Sequence, residues 1–342
     1  MTDIWTRLKT EEKPILLYGT GNGADKILCE LNRLDIKVSG VFASTGFVRD
    51  RYFQGFKVQS LEQAEEDFGD FIALFSFGSN RPEVIENIKR IGKSHTLLAP
   101  EVPVCGGEIF NIEYAKRHSD ELIKAYNLLC DSQSKKVFEQ TVLFKLDGNI
   151  NRLFACETPE NEAFENILKL KSGDSFLDLG AYTGDTVLDF VSRVGEYSHI
   201  TAVEPDPKSF AKMCRNTYNE DITPINAAVS DKCGEIPFSS KSSRGSVCGG
   251  DLFIPCISID SICENTKFDY IKFDVEGKEL DAITGGEKTI KKDKPKMLVS
   301  AYHKSDDYFS IPLKVHEFNG DYKIYMRHYP YVPAWDTNFY FV

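Results

Sequence analysis

The stretch Ser175-Phe176-Leu177-Asp178-Leu179-Gly180-Ala181-Tyr182-Thr183-Gly184-Asp185-Thr186 passes from a short apolar run into a glycine-bearing turn. Val187, Val191 and Val194 follow at helical spacing. Strand, tight turn and helix in that order predict the opening unit of an open α/β sheet, whose ligands sit over the carboxyl ends of the strands. Asp178 stands on the strand just before the turn, and the glycines let a ligand approach the backbone closely.

Moving outward, the apolar run Ile200-Thr201-Ala202-Val203 ends at Glu204, which is placed to accept both hydroxyls of a ribose. Asp206 then reads as a helix cap, and Pro207 suits the first helical turn. A third strand is predicted over Ile225-Asn226-Ala227-Ala228-Val229, followed by the loop Ser230-Asp231. A fourth, Phe268 to Phe273, delivers Asp274-Val275-Glu276-Gly277 at its carboxyl end, and a fifth, Met297 to Ala301, runs into Tyr302-His303. Successive strand ends therefore carry Asp178, Glu204 and Asp274. The closing stretches, around Ile324 to Tyr329 and Asn338 to Val342, alternate as an antiparallel pair that completes the sheet.

These segments resemble the FkbM family of S-adenosylmethionine (SAM)-dependent methyltransferases, over roughly Asn161 to Val342. The likeness rests on Phe176 to Thr186, Asn226 to Asp231 and, most specifically, Ile271-Lys272-Phe273-Asp274-Val275-Glu276-Gly277. Ser258-Ile259-Asp260, Ala301-Tyr302-His303-Lys304, Arg327-His328-Tyr329 and Trp335-Asp336-Thr337 are also similar. Tyr182 replaces the middle glycine of the broader DxGxGxG pattern, as it does in this family. The resemblance implies a Rossmann-like class I methyltransferase domain, with a mostly parallel seven-stranded sheet and an antiparallel end. It implies SAM as cofactor, S-adenosylhomocysteine as product, and O-methylation of a hydroxyl on a sugar, glycan or secondary metabolite. Cofactor contacts are expected from Asp178, Gly180, Ala181, Tyr182, Gly184, Asp185, Glu204, Pro205, Ala228 and Asp274, with Ser230 and Asp231 at the adenine end.

Methyl transfer is an in-line displacement, so the enzyme mainly aligns the acceptor oxygen with the methyl group. An alcohol is a poor nucleophile near neutrality, and a general base helps to remove its proton. The catalytic candidates are Asp274, Glu276 and His303. Asp274 alternatively contacts the cofactor ammonium, Glu276 alternatively anchors the turn, and His303 alternatively is a buried structural histidine. His328, in an alternating strand, reads as structural. Asp274, Glu276, Asp260 and His303 offer oxygen and nitrogen ligands but show no recognised metal-ligand spacing, so no metal site is assigned and a divalent metal is not expected. The polar stretch Ser239 to Val247 reads as a surface loop or an acceptor-binding lid, with Arg244 suited to a phosphate or carboxylate on the acceptor.

The N-terminal third repeats the α/β pattern. Pro14-Ile15-Leu16-Leu17-Tyr18 predicts a strand, Gly19-Thr20-Gly21-Asn22-Gly23-Ala24 a turn, and Ile27, Leu31 and Leu34 a helix face. This GxGxxA turn suits a nucleotide or sugar nucleotide at Gly19, Gly21 and Ala24. The alternative is that its glycines only permit tight strand-to-helix packing. The next strand, Lys37 to Phe42, ends in Ala43-Ser44-Thr45 where a NAD site would place an acidic residue, which weakens an NAD(P)-dependent oxidoreductase as the competing function. A binding module with a relic methyltransferase half is the third reading, and the intact Asp178, Gly180, Gly184, Glu204 and Asp274 oppose it. Phe71 to Phe75 predicts a further strand, leading into a helix with Pro82 in its first turn.

The 342 residues fit two domains at about 100 to 200 residues each. The expected division is an N-terminal Rossmann-like α/β domain over 1–108, a helical connector over 109–160 and the methyltransferase domain over 161–342. In the connector, Leu122, Tyr126 and Leu129 share one helical stripe and Val137, Phe138, Thr141 and Val142 another, with Asp131 as the cap between them. A formal net charge of -11 opposes a general nucleic-acid binder. Nine cysteines without a CxxC pair suggest neither a disulfide framework nor a zinc knuckle. With no secretion signal or long apolar run, a cytoplasmic location and no membrane span are expected.

Overall fold

A computed structural model of the chain describes residues 2–238 and 252–342. Arg244 and the Ser239 to Val247 stretch, considered above as a lid, lie outside the described residues.

Six strands build the first sheet: β1 (Ile15–Tyr18), β2 (Gly40–Phe42), β3 (Tyr52–Phe53), β4 (Phe56–Gln59), β5 (Ile72–Phe75) and β6 (Thr96–Leu98). Their order is β3-β4-β2-β1-β5-β6, parallel throughout except for the β3–β4 hairpin. Every residue of β1 and β5 is buried, which is why both read as unbroken apolar runs rather than alternating ones. The β3–β4 hairpin and β6 were not anticipated. Between β1 and the helix Asn22–Arg33, close packing explains a glycine: a Cβ on Gly23 would lie 2.3 Å from the Ser76 carbonyl oxygen at the end of β5.

The second sheet holds β7 (Phe176–Leu179), β8 (Ile200–Val203), β9 (Ile222–Ile225), then, further along the chain, four more strands. Between these two groups a small sheet forms from β10 (Ala228–Val229), β11 (Gly234–Phe238) and β12 (Leu252–Ile257), in the order β10-β12-β11. The remaining strands are β13 (Tyr270–Phe273), β14 (Lys296–Ser300), β15 (Ile324–His328) and β16 (Thr337–Phe341). The large sheet is ordered β15-β16-β14-β13-β7-β8-β9, with β16 antiparallel to both neighbours and the other pairings parallel. The expected single strand from Ile225 to Val229 is corrected: β9 stops at Ile225 and β10 pairs with β12 instead. Asn226 explains the break, because its side-chain amide donates to the backbone oxygens of Glu204 and Pro205 and draws the chain out of the ladder.

The helices Ser119–Leu128 and Ser132–Asp147 pack on the large sheet, with Leu122, Val137 and Phe138 sharing one hydrophobic cluster with Leu177 and Phe273. Asp131 caps the second helix by accepting from the Ser134 backbone at 2.7 Å. It is also paired at 2.7 Å with buried Arg327 on β15, whose guanidinium reaches Glu162 as well. A different cluster joins the ends of the chain: Tyr18, Phe42 and Phe75 of the first sheet pack with Val332 and Ala334. Ser79 and Val332 exchange backbone hydrogen bonds of 2.8 and 3.0 Å beside them. Among the described residues no helix is long and apolar enough to cross a membrane.

Candidate active site

The chain leaves β7 toward β8 on one side and returns to β13 on the other, so the β7–β13 boundary is a topological switch point. Gly180 lies there with φ +83°, and a Cβ on it would meet the Asp274 carbonyl oxygen at 1.9 Å. No side chain fits between these two strand ends, which is the physical reason for a glycine after Leu179. The Gly180 and Ala181 amides both donate to the Val203 carbonyl at 3.0 Å. Tyr182 adopts φ +46°, the left-handed conformation that a glycine takes most easily, and its side chain is 40% exposed. A tyrosine thus holds a left-handed position where the broader pattern has glycine. Gly184 is the residue before the helix Asp185–Val194, and Asp185 is exposed on its first turn.

Glu204, at the end of β8, is buried and accepts backbone hydrogen bonds from Tyr182 and Asp206, both at 2.8 Å. Burial pushes its carboxyl up to about 7 despite these donors. Asp206 accepts from the Ser209 amide at 2.8 Å and caps the helix that Pro207 begins. Pro205 is half-buried, and Ala228 sits in the small sheet opposite Cys256.

Asp178 is fully buried, accepts from the Thr186 hydroxyl and has Lys272 Nζ 3.7 Å from its Oδ1. The same ammonium is 3.5 Å from Asp274 Oδ2, and Tyr302 donates its hydroxyl to Asp274 Oδ1 at 3.0 Å. Although burial opposes it, Lys272, His303 and Tyr302 hold the Asp274 carboxyl below its ordinary value. Glu276 follows with φ +52°, and burial raises its carboxyl, the nearby Asp274 and Glu279 adding to the effect and His303 opposing it.

His303 is 1% exposed and lies among three carboxylates. Its Nδ1 is 3.0 Å from Glu279 Oε1, and its Nε2 is 3.6 Å from Asp274 Oδ1 and 3.7 Å from Glu276 Oε2. Burial alone would lower its pKa, but Glu279 first and then Asp274 and Glu276 lift it to about 10. Asp274, Glu279 and His303 each offer a ligand atom within 4.8 Å of the others. Glu279 Oε1 is, however, already engaged by the backbone amides of Val275 at 2.9 Å and Gly277 at 3.4 Å, besides His303. The trio is built as an ion-pair cluster around the turn, with Glu279 and His303 buried and Asp274 half-buried. Asp260, the other acidic donor considered for a metal, accepts instead from Lys288 and Thr289 at the start of another helix.

Sequence reasoning missed Lys272, Glu279 and Tyr302, and it missed Cys105, whose Sγ is 4.0 Å from Glu276 Oε2. His328, by contrast, is a buried strand residue with Nδ1 2.9 Å from the Thr337 hydroxyl, and burial lowers its pKa to about 3.

The chain shares its fold with a solved methyltransferase. The crystal structure of methyltransferase FkbM from Methylobacillus flagellatus KT superposes over 100% of this chain and 94% of that one, with a TM-score of 0.77 and 19% identity. Aeropyrum pernix fibrillarin, solved with natively bound S-adenosyl-L-methionine, covers 50% of this chain and 67% of its own at 16% identity, with a TM-score of 0.33. Residues 178–332 match the methyltransferase FkbM domain, so the likeness read from the sequence holds over the segment that carries the switch point, Glu204, Asp274 and His303. No curated protein matches the chain.

Proposed function

We propose that this protein is a SAM-dependent O-methyltransferase acting on a hydroxyl of a sugar, glycan or secondary metabolite. The observation that carries the reading is the convergence of acidic groups on the carboxyl ends of β8 and β13, on either side of β7, within the segment that matches a methyltransferase domain. The donor set fits the cofactor: carboxylates suit ribose hydroxyls and the cationic methionine end, and Gly180 leaves the backbone open to close approach. SAM bound there supplies an electrophilic methyl group on a sulfonium.

In this reading Glu204 orients the ribose, because each of its oxygens accepts only one backbone bond and keeps a lone pair for a hydroxyl. Asp274, kept ionised, faces the cationic end of the cofactor. Asp178 acts through Thr186 and Lys272, its complete burial making it a positioning residue for the turn. Of the three catalytic candidates, Glu276 is the general base: its side chain is 38% exposed, and its raised carboxyl is better matched to proton uptake than the depressed one of Asp274. His303 carries its own proton at neutral pH and serves as the cation that holds Asp274, Glu276 and Glu279 together. No step requires a metal.

A nucleotide site at Gly19, Gly21 and Ala24 has weaker support. Cβ atoms on Gly19 and Gly23 would meet Phe77 and Ser76 at 2.6 and 2.3 Å, which accounts for these two glycines by packing, although a Cβ on Gly21 would meet nothing within 4 Å.

Calorimetric titration with SAM and S-adenosylhomocysteine, with NAD as control, tests the proposal. Saturable binding of the first two is expected; binding of NAD alone would replace the methyltransferase reading with the oxidoreductase one.

A further inference from the structure

Lys26 lies in the second turn of the helix that follows the glycine turn, on the N-terminal side of the molecule. Its ammonium donates to the backbone oxygens of Val104 at 2.5 Å and Pro103 at 3.3 Å. One residue further, the Cys105 amide donates to the His303 carbonyl at 3.2 Å, and its thiol points at Glu276. Gly277 leaves room for this approach, since a Cβ there would stand 2.6 Å from Cys105 Cβ. A little further along, Ser305 donates to the Glu108 carbonyl at 2.7 Å. The segment from Pro103 to Glu108 is thus tied at one end by a lysine from the first sheet's helix and along its length by the loop that carries His303.

We propose that Lys26 is a positioning residue for the methyl-transfer site: by clamping the carbonyls of Pro103 and Val104 it lays Cys105 against Glu276 and makes this segment the acceptor-side wall. The inference rests on the methyltransferase reading of Glu276 and gives the N-terminal unit a part in that site. The segment is an irregular turn, with Gly106 and Gly107 at positive φ, and belongs to no helix or strand that would hold it in place, so two bare carbonyls are natural acceptors for one ammonium. The lysine also brings a positive charge toward a cluster otherwise rich in carboxylates, where Glu276 and Cys105 both feel it. The cofactor-side groups Glu204 and Tyr182 bond one another, and among the described residues no hydrogen bond ties either to this segment. The wall therefore bears on the acceptor rather than on SAM.

Site-resolved alkylation tests this on the full chain without knowledge of the acceptor. Iodoacetamide labelling, followed by peptide mass spectrometry, compares Cys105 with exposed Cys29 and Cys130 and with buried Cys156 and Cys263. In wild type Cys105 should label at least tenfold more slowly than Cys29. Lys26→Met should raise the Cys105 rate at least tenfold while Cys29 and Cys130 keep theirs and Cys156 and Cys263 stay unreactive, and Lys26→Arg should restore slow labelling. An unchanged Cys105 rate in Lys26→Met, or failure of arginine to rescue it, overturns the clamp. Labelling of Cys156 and Cys263 together with Cys105 would show general unfolding and also overturn it. S-adenosylhomocysteine affinity of the labelled Lys26→Met protein then locates the wall. Affinity within twofold of the unlabelled protein is expected; its loss would put Cys105 on the cofactor side. Should S-adenosylhomocysteine fail to bind even wild type, the methyltransferase reading fails, and the alkylation rates still decide the clamp.

Discussion

Lys272 and Asp178 are register partners across the β13–β7 pairing, and their side chains meet below the switch point with Nζ 3.7 Å from Oδ1. The ammonium is shared with Asp274, so one largely covered cation ties the turn after β7 to the turn after β13. Asp178 Oδ1 accepts no hydrogen bond even in the unmutated chain, so Lys272→Met removes the charge that compensates it. Unpairing a buried charge costs about 3 kcal/mol or more. Urea unfolding at pH 7 should show a loss of this size, and a loss below about 1 kcal/mol would contradict the shared-cation role.

Under the proposed function, Glu204 gives cofactor binding a pH dependence. Its carboxyl, raised to about 7, must be ionised to accept two ribose hydroxyls, so affinity should climb as pH rises through 7. At pH 6 the ionised fraction is roughly one in eleven, which predicts binding about tenfold weaker than on the alkaline plateau. Calorimetry between pH 6 and 8.5 should show this slope in wild type and a flat, weak response in Glu204→Gln.

Gly180→Ala tests the close approach of the two strand ends. The added methyl group would overlap the Asp274 carbonyl oxygen, and the φ of +83° is strained for alanine. Strain and overlap together should cost about 3 kcal/mol or more. SAM affinity should fall with it, because the turn and Asp274 must separate. A variant as stable as wild type in thermal unfolding would show that the strand ends are not in contact.

His328 makes the fold sensitive to acid. The folded state keeps this buried ring neutral down to about 3, whereas the unfolded chain takes up the proton near 6.5. Its contribution to stability is therefore complete above 6.5 and is lost as pH falls from 6.5 toward 3, at about 1.4 kcal/mol per unit. At pH 5 the expected loss is about 2 kcal/mol. Comparing wild type with His328→Gln by denaturant unfolding at pH 7.5 and pH 5 should show the gap between them narrowing at the lower pH.

Much of this was legible locally. Asp178 stands one residue before the end of its apolar run, and Glu204 and Asp274 directly follow theirs, so each strand and its carboxyl end could be read from the sequence. Asp206 and Asp131 were readable as caps because their bonds close within three residues. Lys272 was hidden because a lysine in a strand reads as solvent-facing, and only the carboxylates of two neighbouring turns make its burial possible. Glu279 left a fainter signal: the turn at Glu276-Gly277 has positive φ at both residues, and its free amides need an acceptor a few residues on. Cys105 and Lys26 left none. Their contacts with residues 276 and 104 span 171 and 78 positions, and no periodicity reports a contact of that range.

The seating of Val332 and Ala334 among Tyr18, Phe42 and Phe75 bears on synthesis as well as on architecture. The strands of the first sheet leave the ribosome early, yet one wall of their apolar interior is made of residues translated near the end of the chain. Until those arrive, the ends of β1 and β5 stay wetted, and a nascent chain lacking them presents an apolar surface to its surroundings. Termination within the last strand pair would thus be felt first at the opposite end of the sequence.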